Sequence, residues 1–252
     1  MTKLFLLVLS FGAILSVSAQ TDSAARANFY NNTKSKKDWS KVNLGNRSND
    51  HFMLQLGYNS WSKIPDSLKT KGIPRTVNVY FMFDFPFKTD PRFSVGIGAG
   101  ISSSGMYFDK SNIDITGTTT KLAFTNTAKT NHYKKYKLAT TYLEAPVELR
   151  YALNPENTNK SIKFALGAKI GTLLNAHTKA KNLQNSSGSL LNAYTMKLNS
   201  KRYFNSTRLS GTARVGMGIF SLFGSYQINT LLKEAVGPEI HPYTIGLTIS
   251  GL

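Results

Sequence analysis

The chain has 252 residues, 41% of them hydrophobic and 17% charged, with a formal net charge of +18 and no cysteine. That apolar content excludes a disordered chain and fits one domain of ordinary size plus extensions. The missing cysteine excludes disulfides, thiolate metal sites and a lipid-modified N-terminal cysteine.

Residues 1–19 place Lys3 ahead of an apolar run over 4–17, then Val17-Ser18-Ala19 before Gln20. This basic, hydrophobic, small-residue order predicts a secretory signal peptide. The run is too short for the ~20 residues that a spanning helix needs. Export removes nucleic acid, the usual inference from strong positive charge, from the expected partners. Residues 20–49, with Lys34, Lys36, Lys37, Lys41 and Arg47, have no sustained periodicity and read as a mobile basic periplasmic segment. No later apolar run is long enough for a spanning helix, so a membrane can be crossed only by strands.

Eight segments then alternate with period 2, the pattern of strands with two chemically different faces. Over 52–61, Phe52, Leu54, Leu56 and Tyr58 oppose Gln55, Gly57 and Asn59. Over 76–87, Val77, Val79, Phe81, Phe83, Phe85 and Phe87 oppose Asn78, Tyr80, Met82 and Asp84. From Arg92, Phe93, Val95, Ile97, Ala99 and Ile101 oppose Ser94, Gly96, Gly98, Gly100 and Ser102. The fourth sets Leu143, Ala145, Val147, Leu149 and Tyr151 against Tyr142, Glu144, Glu148 and Arg150. The fifth sets Ile162, Phe164, Leu166, Ala168 and Ile170 against Lys163, Ala165, Gly167, Lys169 and Gly171. In the sixth, Leu209, Ala213, Val215 and Met217 oppose Arg208, Ser210, Thr212 and Arg214. The seventh sets Phe220, Leu222, Tyr226 and Ile228 against Ser221, Ser225 and Gln227. The last sets Tyr243, Ile245, Leu247 and Ile249 against Thr244, Gly246, Thr248 and Ser250.

No apolar face carries a charge, whereas the other faces hold Asp84, Glu144, Glu148, Arg150, Lys163, Lys169, Arg208 and Arg214. A charge facing lipid at mid-depth costs about 2–4 kcal/mol, so a lipid-exposed face should exclude it on every strand. Alternation alone also fits a soluble, lipocalin-like barrel with the apolar face inward. Two features favour the membrane. Small residues on the polar face, such as Gly96, Gly98, Gly100 and Gly167, make room in a narrow lumen for Arg and Tyr from other strands. The connections also alternate long and short, at 62–75, 88–91, 106–140, 154–160, 175–202, 218–219 and 231–242, as outer-membrane barrels require. The expected fold is all-β: one eight-stranded antiparallel transmembrane β-barrel over residues 50–252, multi-pass in the outer membrane, both termini periplasmic. Pro146, inside the fourth segment, predicts a bulge or local distortion, because it cannot donate a ladder hydrogen bond.

The stretch Tyr142-Leu143-Glu144-Ala145-Pro146-Val147-Glu148-Leu149-Arg150-Tyr151 resembles the Y-L-E-x-P-x-x-L-+-Y segment of the PorT-like outer-membrane β-barrel family. Further matches are Phe164-Ala165-Leu166-Gly167 with Gly171, Arg214-Val215-Gly216, and Leu222-Phe223-Gly224-Ser225-Tyr226 followed by Gly237-Pro238. The resemblance covers roughly residues 50–252. It implies an outer-membrane barrel with Pro146 as a family feature and, in one branch, an accessory role in a protein-secretion machine. The C-terminal Ile249-Ser250-Gly251-Leu252 lacks the aromatic end typical of substrates of the barrel-assembly machinery.

With the fourth and fifth segments paired across the Asn154 turn, Glu144 falls opposite Lys169 and Glu148 diagonally beside Lys163. The inward charges therefore predict a salt-bridged plug, with a narrow porin-like ion path as the alternative. His51, His132, His177 and His241 are scattered, with no metal-ligand spacing and no nucleophile–base grouping, so no catalysis, metal or cofactor is expected. The long connections carry net charges of +3, +4, +5 and −1. Their basic residues Lys134, Lys135, Lys137, Lys179, Lys181, Lys197, Lys201 and Arg202 are expected on loops, contacting outer-membrane lipid or lipopolysaccharide, or an acidic protein partner. The expected function is a non-enzymatic surface or accessory protein; the alternatives are a narrow transport channel and a subunit of a secretion or assembly complex.

Overall fold

The computed structural model describes residues 51–250 apart from 67 and 158–159; the predicted signal peptide and the basic segment 20–49 lie outside the described residues. Twelve strands are present among them: β1 (Phe52–Ser62), β2 (Lys69–Thr70), β3 (Arg75–Pro86), β4 (Phe93–Asp109), β5 (Ser111–Asp114), β6 (Ala123–Asn126), β7 (His132–Ala152), β8 (Ile162–Gln184), β9 (Leu190–Asn199), β10 (Thr207–Met217), β11 (Phe220–Gln227) and β12 (His241–Ser250). Eight of them close a barrel in the order β1-β3-β4-β7-β8-β10-β11-β12, and β12 returns to β1 from Met53↔Ser250 to Ser62↔His241. All neighbours are antiparallel. Closure pairs the backbone groups that an open sheet would leave bare at its edges.

The two faces sort as the alternation predicts. Leu166 is 69% exposed and Ile245 61%, within an apolar belt that includes Phe81, Phe85, Leu149, Ile170 and Leu222, whereas Gln55, Asn78, Ser210 and Thr248 are buried inside. A soluble barrel with an apolar interior is thereby excluded: so continuous a hydrophobic surface belongs in hydrocarbon.

One end of the barrel has short turns. Between β3 and β4, Asp90 accepts the Arg92 backbone N–H at 3.1 Å and pairs with its guanidinium at 2.6 Å. Asn154 Oδ1 accepts the Glu156 N–H at 3.1 Å, an Asx turn leading towards β8. Gly218, at φ 63°, makes the tight turn between β10 and β11.

The other end is elaborated, and here the sequence-based boundaries need correction. The stretches 106–140 and 175–202, predicted as long loops, are largely strand: β4, β7 and β8 run well past the belt, β5 and β6 form a hairpin, and β9 pairs with the upper part of β8. β8 therefore forks. From Ile162 to Thr172 it pairs with β10, and from His177 to Gln184 with β9. The one register shift between β7 and β8 lies at Thr141/Tyr142, where Leu174 is the extra residue. At Pro146 there is no bulge. Pairing with β4 lapses between Ile97↔Val147 and Gly100↔Glu144 with unchanged register, while Pro146 stays opposite Lys169 of β8. The N–H that proline lacks is thus the one that would have faced β4.

Candidate functional site

The lumen is filled in two layers. In the lower one, Glu148, only 2% exposed, accepts from Arg150 Nε at 3.0 Å and from Arg214 Nη2 at 2.8 Å. Arg150 Nη1 also reaches Asp84 at 3.4 Å, and Arg214 Nη1 donates to the Ser250 hydroxyl at 3.2 Å. Nearer the elaborated end, Glu144 meets Arg208 Nη1 at 3.2 Å and accepts the Tyr80 hydroxyl. Lys169 donates to that hydroxyl at 3.5 Å with its ammonium 5.6 Å from the ring centroid, and the Arg208 guanidinium lies 5.1 Å from that of Tyr142. The small residues provide the room: a Cβ on Gly96 would lie 2.6 Å from Arg150 Cζ, and one on Gly100 2.6 Å from the Tyr80 ring.

Seven of the eight predicted inward charges gather in this way, but the register differs from the one expected. Glu144 stands opposite Gly171, Glu148 opposite Gly167, and Lys169 opposite Pro146; Lys163 is half-buried opposite Ala152. The turn sets this register, with the Leu153 N–H donating to the Ile162 carbonyl at 3.1 Å. A two-residue offset from the expected pairing keeps each side chain on its face while changing its partner. Both glutamates consequently meet arginines, whose planar fork suits a carboxylate better than an ammonium does.

The upper layer is apolar, and the sequence did not announce it. Trp61, Met106, Phe108, Leu138, Leu173, Phe204, Leu231 and Ile240 pack together with Ile113, Ile115 and Leu122 from the β5–β6 region. The Tyr136 hydroxyl donates to the Ile113 carbonyl at 2.7 Å, and the Tyr203 hydroxyl donates to the Gly117 and Thr119 carbonyls at 2.6 and 2.9 Å. Where the two layers meet, a cavity of about 10 Å³ is lined by Asn59, Met106, Thr140, Arg208, Gln227 and their neighbours, space for about one water molecule.

Outside the barrel, the basic residues predicted on loops lie mostly on strands. Lys134, Lys135 and Lys137 are on β7, Lys179 and Lys181 on β8, and Lys197 on β9; Lys201 and Arg202 occupy the β9–β10 connection. Alternation in these stretches is carried inward by Tyr136, Leu138, Ala176 and Ala180, two of them too small to signal a buried face. Lys135 is paired with Lys181, and Lys137 with Lys179, which in turn is paired with Lys197. Arg202 sits over the Tyr203 ring at 5.7 Å and donates to the Thr118 carbonyl at 3.0 Å. His177 lies beside the lysine rows, with Nδ1 3.2 Å from Asn175 Nδ2. Burial, followed by Lys197, Lys137 and Lys179, holds its imidazole below the usual value. The other histidines are apart: His51 stacks on Phe81, His241 stacks on Tyr226, and His132 Nδ1 is 3.1 Å from the Thr130 carbonyl. Among the described residues, no three His, Asp or Glu side chains are grouped to hold a metal ion.

Residues 40–233 match the family model described as an outer membrane protein beta-barrel domain. No curated protein matches the chain. Solved structures similar to it include two of Ail, the attachment invasion locus protein of Yersinia pestis. The complex of Ail with the heparin analogue sucrose octasulfate is 14% identical at a TM-score of 0.32, covering 79% of this chain and 95% of that one. The second is 12% identical at a TM-score of 0.29, with the same coverage.

Proposed function

The chain belongs to the outer membrane protein beta-barrel domain family, and from that premise we propose a sealed, non-enzymatic barrel that acts at the cell surface through its basic elaborated end. The observation that carries this role is the filled lumen: ion pairs occupy the lower layer, aromatic and aliphatic side chains the upper, and between them lies a cavity of only about 10 Å³. A path for solute would have to break buried ion pairs and expose apolar surface at once. In this reading the short turns are periplasmic and, as is usual for an even number of strands, so are both ends of the barrel, with the lysine-bearing sheet facing outward. Its expected partners are outer-membrane lipid or an acidic protein, not nucleic acid.

Purified protein in planar bilayers tests the seal. Flat current traces are expected between −100 and +100 mV (about ±2.3 kcal/mol per elementary charge); steady nanosiemens-scale openings would restore the narrow-channel alternative. A second role, accessory subunit of a secretion or assembly complex, has a separate basis. The 142–151 segment resembles the PorT-like family, one branch of which assists a secretion machine, and β9 leaves Leu190, Leu191 and Tyr194 exposed beyond the belt, where apolar surface marks protein contact. Co-purification from native membranes, lost on replacing Leu190 and Leu191 with serine, is its expected signature.

A further inference from the structure

Among the exposed faces, the outward side of β7, β8 and β9 stands out for unopposed charge. Lys137, Lys179 and Lys197 form one cross-strand row, and Lys135 with Lys181 the next. Directly opposite positions on neighbouring strands bring Cβ atoms within ~5 Å, where like charges destabilise a sheet. Nothing on these strands offsets that repulsion: residues 132–141, 172–184 and 190–199 contain no carboxylate. Native sheets usually place an acid opposite a base, so three like-charged pairs in one small area call for an anion supplied from outside.

The position identifies the anion's source. These lysines share the outward face that carries Leu143 and Val147 on β7 and Leu166 and Ile170 on β8, all exposed in the belt. They therefore look sideways over the membrane. Lys137 is six residues beyond Leu143, about 20 Å along the strand and roughly 15 Å along the barrel axis at a tilt near 40°. From there a lysine stem can bend back towards the belt, which brings its ammonium to head-group level. Two strand spacings by one two-residue step give a patch about 10 by 7 Å, the size of one compact head group and too small to select a long polymer.

We propose that this patch seats the head group of an outer-leaflet glycolipid bearing two phosphates, its acyl chains lying against the belt below. The inference deepens, and rests on, the surface role proposed for this end. His177, on β8 between Asn199 and Ala139, is its built-in reporter, because its position in the lysine rows puts it beside any anion seated there; burial first, and then Lys197, Lys137 and Lys179, hold its imidazole below the usual value.

The test uses the full chain in detergent micelles titrated with a bis-phosphorylated diglucosamine lipid, with phosphatidylcholine as the neutral arm and inositol hexakisphosphate as the soluble arm. The bis-phosphorylated lipid is expected to bind and to raise the His177 titration midpoint, read by imidazole NMR and assigned with H177N. K179Q should weaken binding about fivefold, and K137Q/K179Q/K197Q about a hundredfold, while K201Q stays near the native chain. Equal binding by native and triple-variant proteins, or an unmoved His177 in the native chain, overturns the proposal. So does inositol hexakisphosphate displacing the lipid at equal affinity. That last outcome would leave the surface role standing with a soluble anion as its ligand, whereas channel openings in bilayers would remove the sealed role without touching the lipid site.

Discussion

Replacing Glu148 with glutamine should unfold the barrel about 2 M earlier in urea. The glutamate accepts from Arg150 at 3.0 Å and from Arg214 at 2.8 Å, with its side chain 3% exposed. Each hydrogen bond to a charged group contributes about 1.5–3 kcal/mol, and removing one partner of a buried pair costs about 3–5 kcal/mol because the remaining charge stays desolvated. Glutamine keeps the shape and one acceptor, so about 3–4 kcal/mol is the working figure from those ranges. At a slope near 2 kcal/mol per molar urea, that moves the midpoint by roughly 1.5–2 M. The assay is reversible urea unfolding from lipid vesicles, followed by tryptophan fluorescence and repeated at high salt. A shift below about 0.5 M, or one that salt abolishes, would mean that water screens the cluster and would refute the dry lower layer.

Gly100→Ala should cost about 1–3 kcal/mol by overpacking, since the new Cβ would fall 2.1 Å from the Val79 carbonyl oxygen; Gly224→Ala, with nothing within 4 Å of its Cβ, should be near neutral in the same unfolding assay. Leu166→Arg places a charge on the most exposed large apolar side chain of the belt and should cost about 2–4 kcal/mol, with slower insertion into vesicles. Tyr203→Phe removes the hydroxyl that donates to two carbonyls of the β5–β6 connection; amide exchange should quicken over residues 111–126 and stay unchanged in β10–β12. The fold holds the His177 imidazole below its usual value. Its contribution to stability is therefore complete above the free imidazole value, near 6.5, and lost as pH falls from there through the folded midpoint. Lys197→Gln should raise that midpoint in an NMR titration and narrow the window.

The membrane-crossing half was legible in the sequence because hydrocarbon outside and a narrow lumen inside impose opposite chemistries on successive residues. Phe81 beside Met82 and Leu149 beside Arg150 are sorted by that rule alone. Partner choice was less legible: whether Lys169 faces Glu144 or Pro146 depends on how the 153–161 turn closes, and no side-chain pattern encodes a two-residue offset. The apolar upper layer was least legible. Its buried faces use alanine at 176 and 180 and draw single residues such as Tyr203 and Ile240 from separate connections, so no window shows a period. The basic residues themselves were found, but the sheet that aligns Lys137, Lys179 and Lys197 needed the pairing of three strands.

The division of β8 between two neighbours separates what keeps the hull watertight from what the cell displays. Closure needs only the rungs from Ile162 to Thr172 against β10, so β9 hangs from the rim like an awning. A peptide spliced into its tip at 185–189, where Asn185 Oδ1 accepts the Ser189 N–H at 2.9 Å and Gly188 adopts φ 91°, would leave the staves of the cask untouched, making that hairpin a natural place to graft foreign sequence.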